Sequence, residues 1–98
     1  MSLVPRGCLA LLLVLLAGCT EEVCEEAYSK LQSCMATLNC NKLDPVDRDR
    51  CEKSRTAWAK YAGNESLYLT ACSNDDKLRA EADKIVTCTL DPKSCTCP

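Results

Sequence analysis

The sequence predicts an all-α fold, a small disulfide-stapled bundle of three main helices with an irregular C-terminal tail. Three observations predict it. No run alternates apolar and polar residues with the period of two that a half-buried strand requires. Apolar residues recur instead at three- and four-residue intervals, between recognisable helix caps. Finally, ten cysteines crowd a chain of 98 residues, which marks a fold held by cross-links in an oxidising compartment. From Cys19 onward there are 80 residues, of which 16 are apolar residues larger than alanine or cysteine. That is too little for an ordinary core, and it excludes a multidomain enzyme, a nucleotide-binding α/β fold and a polytopic membrane protein.

The N-terminal segment comes first. Arg6 is its single charged side chain, and Leu9 to Ala17 form an unbroken apolar run. Crossing a bilayer takes roughly 20 apolar residues, whereas a shorter run with a small-residue exit suits a secretory signal peptide, here residues 1–18. The exit, Leu16-Ala17-Gly18-Cys19, resembles the lipobox of bacterial lipoprotein precursors. The resemblance covers this boundary alone. It implies that the Cys19 thiol receives a diacylglycerol, that the chain is cut before Cys19, and that the new amino terminus is acylated with a fatty acid such as palmitate. Residues 19–98 then form the mature lipid-anchored domain. Two or three acyl chains on one residue hold it to the membrane permanently, because each buried methylene adds about 0.8 kcal/mol. Thr20 stands where an aspartate would favour the inner membrane, so the resemblance points to the bacterial cell envelope and its outer membrane.

The cysteines divide accordingly. Cys8 leaves with the signal and Cys19 takes lipid, and Cys24, Cys34, Cys40, Cys51, Cys72, Cys88, Cys95 and Cys97 are expected to form four disulfides. Cys95-Thr96-Cys97 has the close spacing of a thiolate cluster, but the chain has no histidine and no Cys-x-x-Cys pair. No metal and no cofactor is therefore expected. A redox ring closed between Cys95 and Cys97 is disfavoured against bonding each tail cysteine to a different helix.

The first helix should start at Thr20 as cap, with Glu21, Glu22, Glu25 and Glu26 suiting the positive end of its dipole. Val23, Ala27, Leu31, Cys34 and Leu38 mark its inner face, and Asn39 to Lys42 ends it. The second helix has the clearest start, with Asp44 as cap, Pro45 at the first position and Asp47 three residues after the cap. It should reach about Ala62 and stop at Gly63, burying Cys51, Ser54, Trp58 and Tyr61 or Ala62. Trp58 and Tyr61 are read as core residues in preference to a ligand-facing pair. Asn64-Glu65-Ser66 is formally a glycosylation acceptor but reads as a cap for Leu67 to Cys72, a helical turn or two. Ser73 should cap the third main helix, whose inner face carries Leu78, Ala82, Ile85, Val86 and Thr89 and which ends before Asp91-Pro92.

In an up-down-up arrangement, mirror positions across an antiparallel pair are where disulfides reach. This predicts Cys24 to Cys72 and Cys34 to Cys51, and leaves Cys40, Cys88, Cys95 and Cys97 to pair in any of three ways.

No enzyme is expected. The chain lacks a histidine base, a Gly-x-Ser-x-Gly turn and, with three glycines, any phosphate-cradling loop. Its net charge from Cys19 onward is −3 with no basic stripe, which disfavours nucleic acid. The expected function is a non-enzymatic, membrane-tethered, Cys-rich lipoprotein acting as an envelope interaction or structural module, held to the membrane through Cys19 and contacting a membrane-proximal envelope protein. One alternative is a small disulfide-rich carrier of an apolar ligand, similar in style to the eight-cysteine plant lipid-transfer proteins, whose adjacent Cys-Cys pair is missing here. The apolar residues are too few, on this reading, to line a cavity and also fill a core. The other alternative is a secreted Cys-rich peptide without lipid.

Overall fold

The computed structural model describes residues 15–98, with residues 15–21 described by their backbone alone. The described residues form an all-α, disulfide-stapled fold without strands: α1 (Leu15–Thr37), a 3-10 turn (Cys40–Lys42), α2 (Pro45–Ala59), α3 (Glu65–Asn74) and α4 (Asp76–Thr87). Most of the expected signal segment lies outside the described residues. Where its last residues are described, α1 runs through them, so Thr20 is inside a helix of the full-length chain and does not cap it. The physical reason is that Leu15 to Thr20 contains no proline, and its one glycine is too weak a breaker to interrupt the run.

α1 packs against both α3 and α4, and these two pack on each other. Their meeting line is closed by Cys24, Ala27, Tyr28, Tyr68, Cys72 and Ala82, all buried. The stretch expected to be a turn or two is thus a full helix, α3. Asn64 starts it, its side chain accepting from the Leu67 amide at 3.1 Å, and Tyr68 and Cys72 carry its buried side. Ser73 does not cap the next helix. α3 continues through it, and Asp75 ends one helix and starts the other. Its backbone is extended, its amide donates to Ala71 O at 3.0 Å, and its carboxylate accepts from the amides of Lys77 (2.9 Å) and Leu78 (3.2 Å). An aspartate directly before the free first-turn amides serves them better than a serine two residues earlier, still inside the helical hydrogen-bond ladder.

α2 begins as its caps dictate, with Asp44 accepting from the Asp47 amide at 2.9 Å and Pro45 in the first turn. It ends by two amides converging on Trp58 O, from Tyr61 at 2.8 Å and Ala62 at 2.9 Å. Gly63 then takes φ +72°, a left-handed conformation that glycine adopts without steric cost. α2 does not lie along α1 as an antiparallel hairpin partner. The 3-10 turn, flanked by extended residues at Asn39, Leu43 and Asp44, swings it aside, and the main backbone neighbour of α2 among the helical elements is that turn.

This displacement explains the disulfides. Cys24–Cys72 joins α1 to α3, as the geometry of a bundle predicts. Cys34–Cys51 does not form. Cys51 pairs with Cys40, its neighbour in the turn, at a sequence separation of 11, while Cys34 reaches Cys95 in the tail across 61 residues. Cys88 and Cys97 make the fourth pair. The C-terminal residues are irregular yet tightly folded. The Asp91 amide donates to Thr96 O at 2.8 Å, the Cys95 amide to Asp91 O at 2.6 Å, and Ser94 and Cys95 are buried. Cys95 holds φ +56°, a left-handed conformation that is strained for a residue with a Cβ.

Candidate functional site

Cross-linking changes which residues are available for a site. Cysteines and alanines do most of the filling: Cys24, Cys40, Cys51, Cys72, Ala27 and Ala82 are at most 1 % exposed. Larger apolar side chains are thereby left half-buried, and several of them gather in one open groove of about 360 Å³ between α1, α2, α4 and the tail. Leu31 and Met35 come from α1, Ala57 and Trp58 from α2, and Leu78 and Ile85 from α4. Its volume falls at the small end of the ~300–1,000 Å³ typical of small-molecule pockets. The same residues serve both purposes, since Leu31, Trp58, Leu78 and Ile85 pack against the buried cluster and also line the groove.

Aromatic contacts set one end of the groove. Tyr28 lies 5.1 Å from Trp58 and 5.5 Å from Tyr68 between ring centres, and Tyr61 meets Tyr68 edge-on at 5.2 Å. Offset and edge-on rings of this kind are attractive beyond the area they bury. Trp58 and Tyr61 are thus packed against the core, as expected, while also facing the groove. The Tyr28 hydroxyl donates to Tyr61 O at 3.3 Å, but the Tyr68 hydroxyl, on a residue 2 % exposed, has no hydrogen-bond partner. Burial, then the Glu81 carboxylate and Tyr61, push the Tyr68 phenol up to about 12, so it keeps its proton and remains a donor.

Two further features hold the groove in place. Lys30 reaches across from α1 to the last carbonyls of α4, donating to Ile85 O at 2.6 Å and to Cys88 O, where a cation suits the helix C-terminus. At the other side, Asp47 on α2 pairs with Arg50 at 3.0 Å and with Lys93 of the tail at 3.4 Å. The Arg50 hydrogen bond holds the Asp47 carboxyl below its ordinary value, with Lys93 adding to the effect.

The residues singled out in the sequence are distributed elsewhere. Cys19 lies on the first turns of α1, where only the backbone is described. Cys95 and Cys97 bond to Cys34 and Cys88, so each tail cysteine has its own partner and the two do not close a ring. Both line the groove with Thr96. Met35, Tyr68 and Glu81, missed by the sequence reading, complete the site. A visible trace of them exists in the sequence, since Leu31 and Met35 form a second apolar row on α1 beside the Val23, Ala27, Leu31 row. Comparison of the chain with protein-family models, with curated proteins and with solved structures finds no match.

Proposed function

We propose that this chain is a non-enzymatic, lipid-anchored binding module of the bacterial envelope, tethered through Cys19 to the outer membrane and acting on a membrane-proximal partner. The observation that carries the reading is Leu16-Ala17-Gly18-Cys19 at the end of an unbroken apolar run. Cysteine parity supports it. The eight cysteines from Cys24 onward bond among themselves, so none of them claims the Cys19 thiol. The short spacing supports it too. A helix rises about 1.5 Å per residue, so five residues from Cys19 to Cys24 put the disulfide-bonded domain within about 8 Å of its anchor.

Mass spectrometry of the protein recovered from bacterial membranes tests this. The expected species starts at Cys19, carries two or three acyl chains and has no other free thiol, and Cys19→Ala abolishes acylation and membrane retention. A chain that keeps residues 1–18, or one cut elsewhere without acyl mass, overturns the reading.

A further inference from the structure

We propose that Cys88–Cys97 is a redox-labile clasp on the edge of the groove, opened by a dithiol reductant while the other three disulfides and the fold persist. It works the same with or without acylation of Cys19. Thiol–disulfide exchange requires an incoming thiolate to reach a sulfur, so access ranks the four bonds. Cys24–Cys72 and Cys40–Cys51 are sealed, each of their cysteines being at most 1 % exposed. Cys34–Cys95 is half sealed, with Cys34 partly exposed and Cys95 at 2 %. Cys88–Cys97 is the pair in which both cysteines are partly exposed.

Reclosure separates the last two pairs. When a reductant attacks Cys34, the released Cys95 stays in place, because its amide donates to Asp91 O at 2.6 Å and Ser94 is buried beside it. Held next to Cys34, it re-forms the bond and expels the reductant. The hydrogen bonds of the tail reach Thr96, whose carbonyl accepts from the Asp91 amide at 2.8 Å. Cys97 lies beyond them, and among the described residues it is held by its disulfide and by a 3.4 Å contact of its sulfur with Lys84 O. Once cut, it moves away from Cys88, and the second thiol of the reductant completes the exchange. The Cys88–Cys97 bond takes up two electrons and two protons to give two thiols, and the dithiol closes to its own disulfide. Thr96 and Cys97 line the groove with Lys84 and Ile85 of α4, the helix to whose end the clasp ties them. Opening the clasp detaches this stretch from α4 and widens the groove, while Cys34–Cys95 keeps the rest of the tail in place.

The experiment uses the full chain with Cys8→Ser and Cys19→Ser, so that every thiol detected comes from one of the four disulfides. It is treated with graded dithiothreitol at neutral pH, alkylated, and mapped by peptide mass spectrometry. Cys88 and Cys97 should be labelled together at a reductant concentration about tenfold below the one that opens any other pair. Helical circular dichroism should be unchanged at that point. Trp58, the one tryptophan of the chain, lines the groove and reports its opening. Its quenching by acrylamide should rise when the clasp opens. The double variant Cys88→Ser with Cys97→Ser, its three disulfides verified by mass, should show the same raised quenching before any reductant is added. Labelling of Cys34 or Cys95 first or at the same concentration, loss of helix with the first two thiols, or equal Trp58 quenching in the closed and open chains overturns the proposal.

Discussion

Tyr68 is the residue at which packing and hydrogen bonding pull apart. Its ring is central to the aromatic cluster, touching Tyr28 and Tyr61, while its hydroxyl is buried without a partner. In the unfolded chain that hydroxyl is hydrated, so folding strips it of water and returns nothing. Tyr68→Phe keeps the ring contacts and removes the stranded donor. It is expected to raise the stability of the domain by about 1 kcal/mol, read as a higher midpoint in chemical denaturation. A lower midpoint would mean that the hydroxyl has a partner in solution. None of this was legible in the sequence, where Tyr68 sits in a short apolar run with nothing to distinguish its hydroxyl. By contrast Ala27 and Ala82 were legible as core, because each falls at helical spacing on the inner face read for its own helix.

At the scale of elements, the corner between α3 and α4 is the sharpest test of local chemistry. One residue, Asp75, separates the two helices and satisfies amides of the second through its carboxylate. Asp75→Ala is expected to destabilise the domain by about 1–2 kcal/mol, whereas Ser73→Ala should change it by less than about 0.5 kcal/mol. The pair, compared by thermal denaturation, separates the observed cap from the one the sequence suggests. The sequence reading takes Ser73 as the cap, and Asp75, an equally good capping residue two positions on, is the one the structure uses. What decides is that Tyr68 and Cys72 bury one face of α3 and so extend it past Ser73. Asp44 and Pro45 had no such rival, and the start of α2 was accordingly plain.

On the scale of the whole molecule, stability follows the topology of its cross-links. A disulfide stabilises chiefly by restricting the unfolded chain, and more so for longer loops. Cys34–Cys95 closes a separation of 61 residues, against 11 for Cys40–Cys51 and 9 for Cys88–Cys97. Replacing both partners by serine is expected to cost about 4 kcal/mol for the first pair and about 3 kcal/mol for either local pair. Denaturant midpoints of the three double variants provide the ranking, and an equal or reversed order would show that native packing and not chain entropy dominates. Reduction of all four pairs should unfold the domain, because its apolar residues line a groove as much as a core. The existence of the cross-links was readable from composition. Of their pattern, Cys24–Cys72 was readable from helix geometry and the rest was not, because it depends on where the connector between α1 and α2 points, and Asn39 to Asp44 gives no spacing signal for a swing away from the bundle.

That swing has a mechanical consequence. The disulfide of α2 spans only the local loop back to Cys40, and besides the packing of Trp58 against Tyr28 its hold includes a pair of ion contacts to the tail, Asp47 with Lys93 and Arg50 with Asp91 at 3.8 Å, on partly exposed side chains. Such contacts are individually weak and are screened by salt. Added salt is therefore expected to loosen the charged contacts of Asp47 and Arg50 with the tail while the packing of Trp58 against Tyr28 keeps α2 in place.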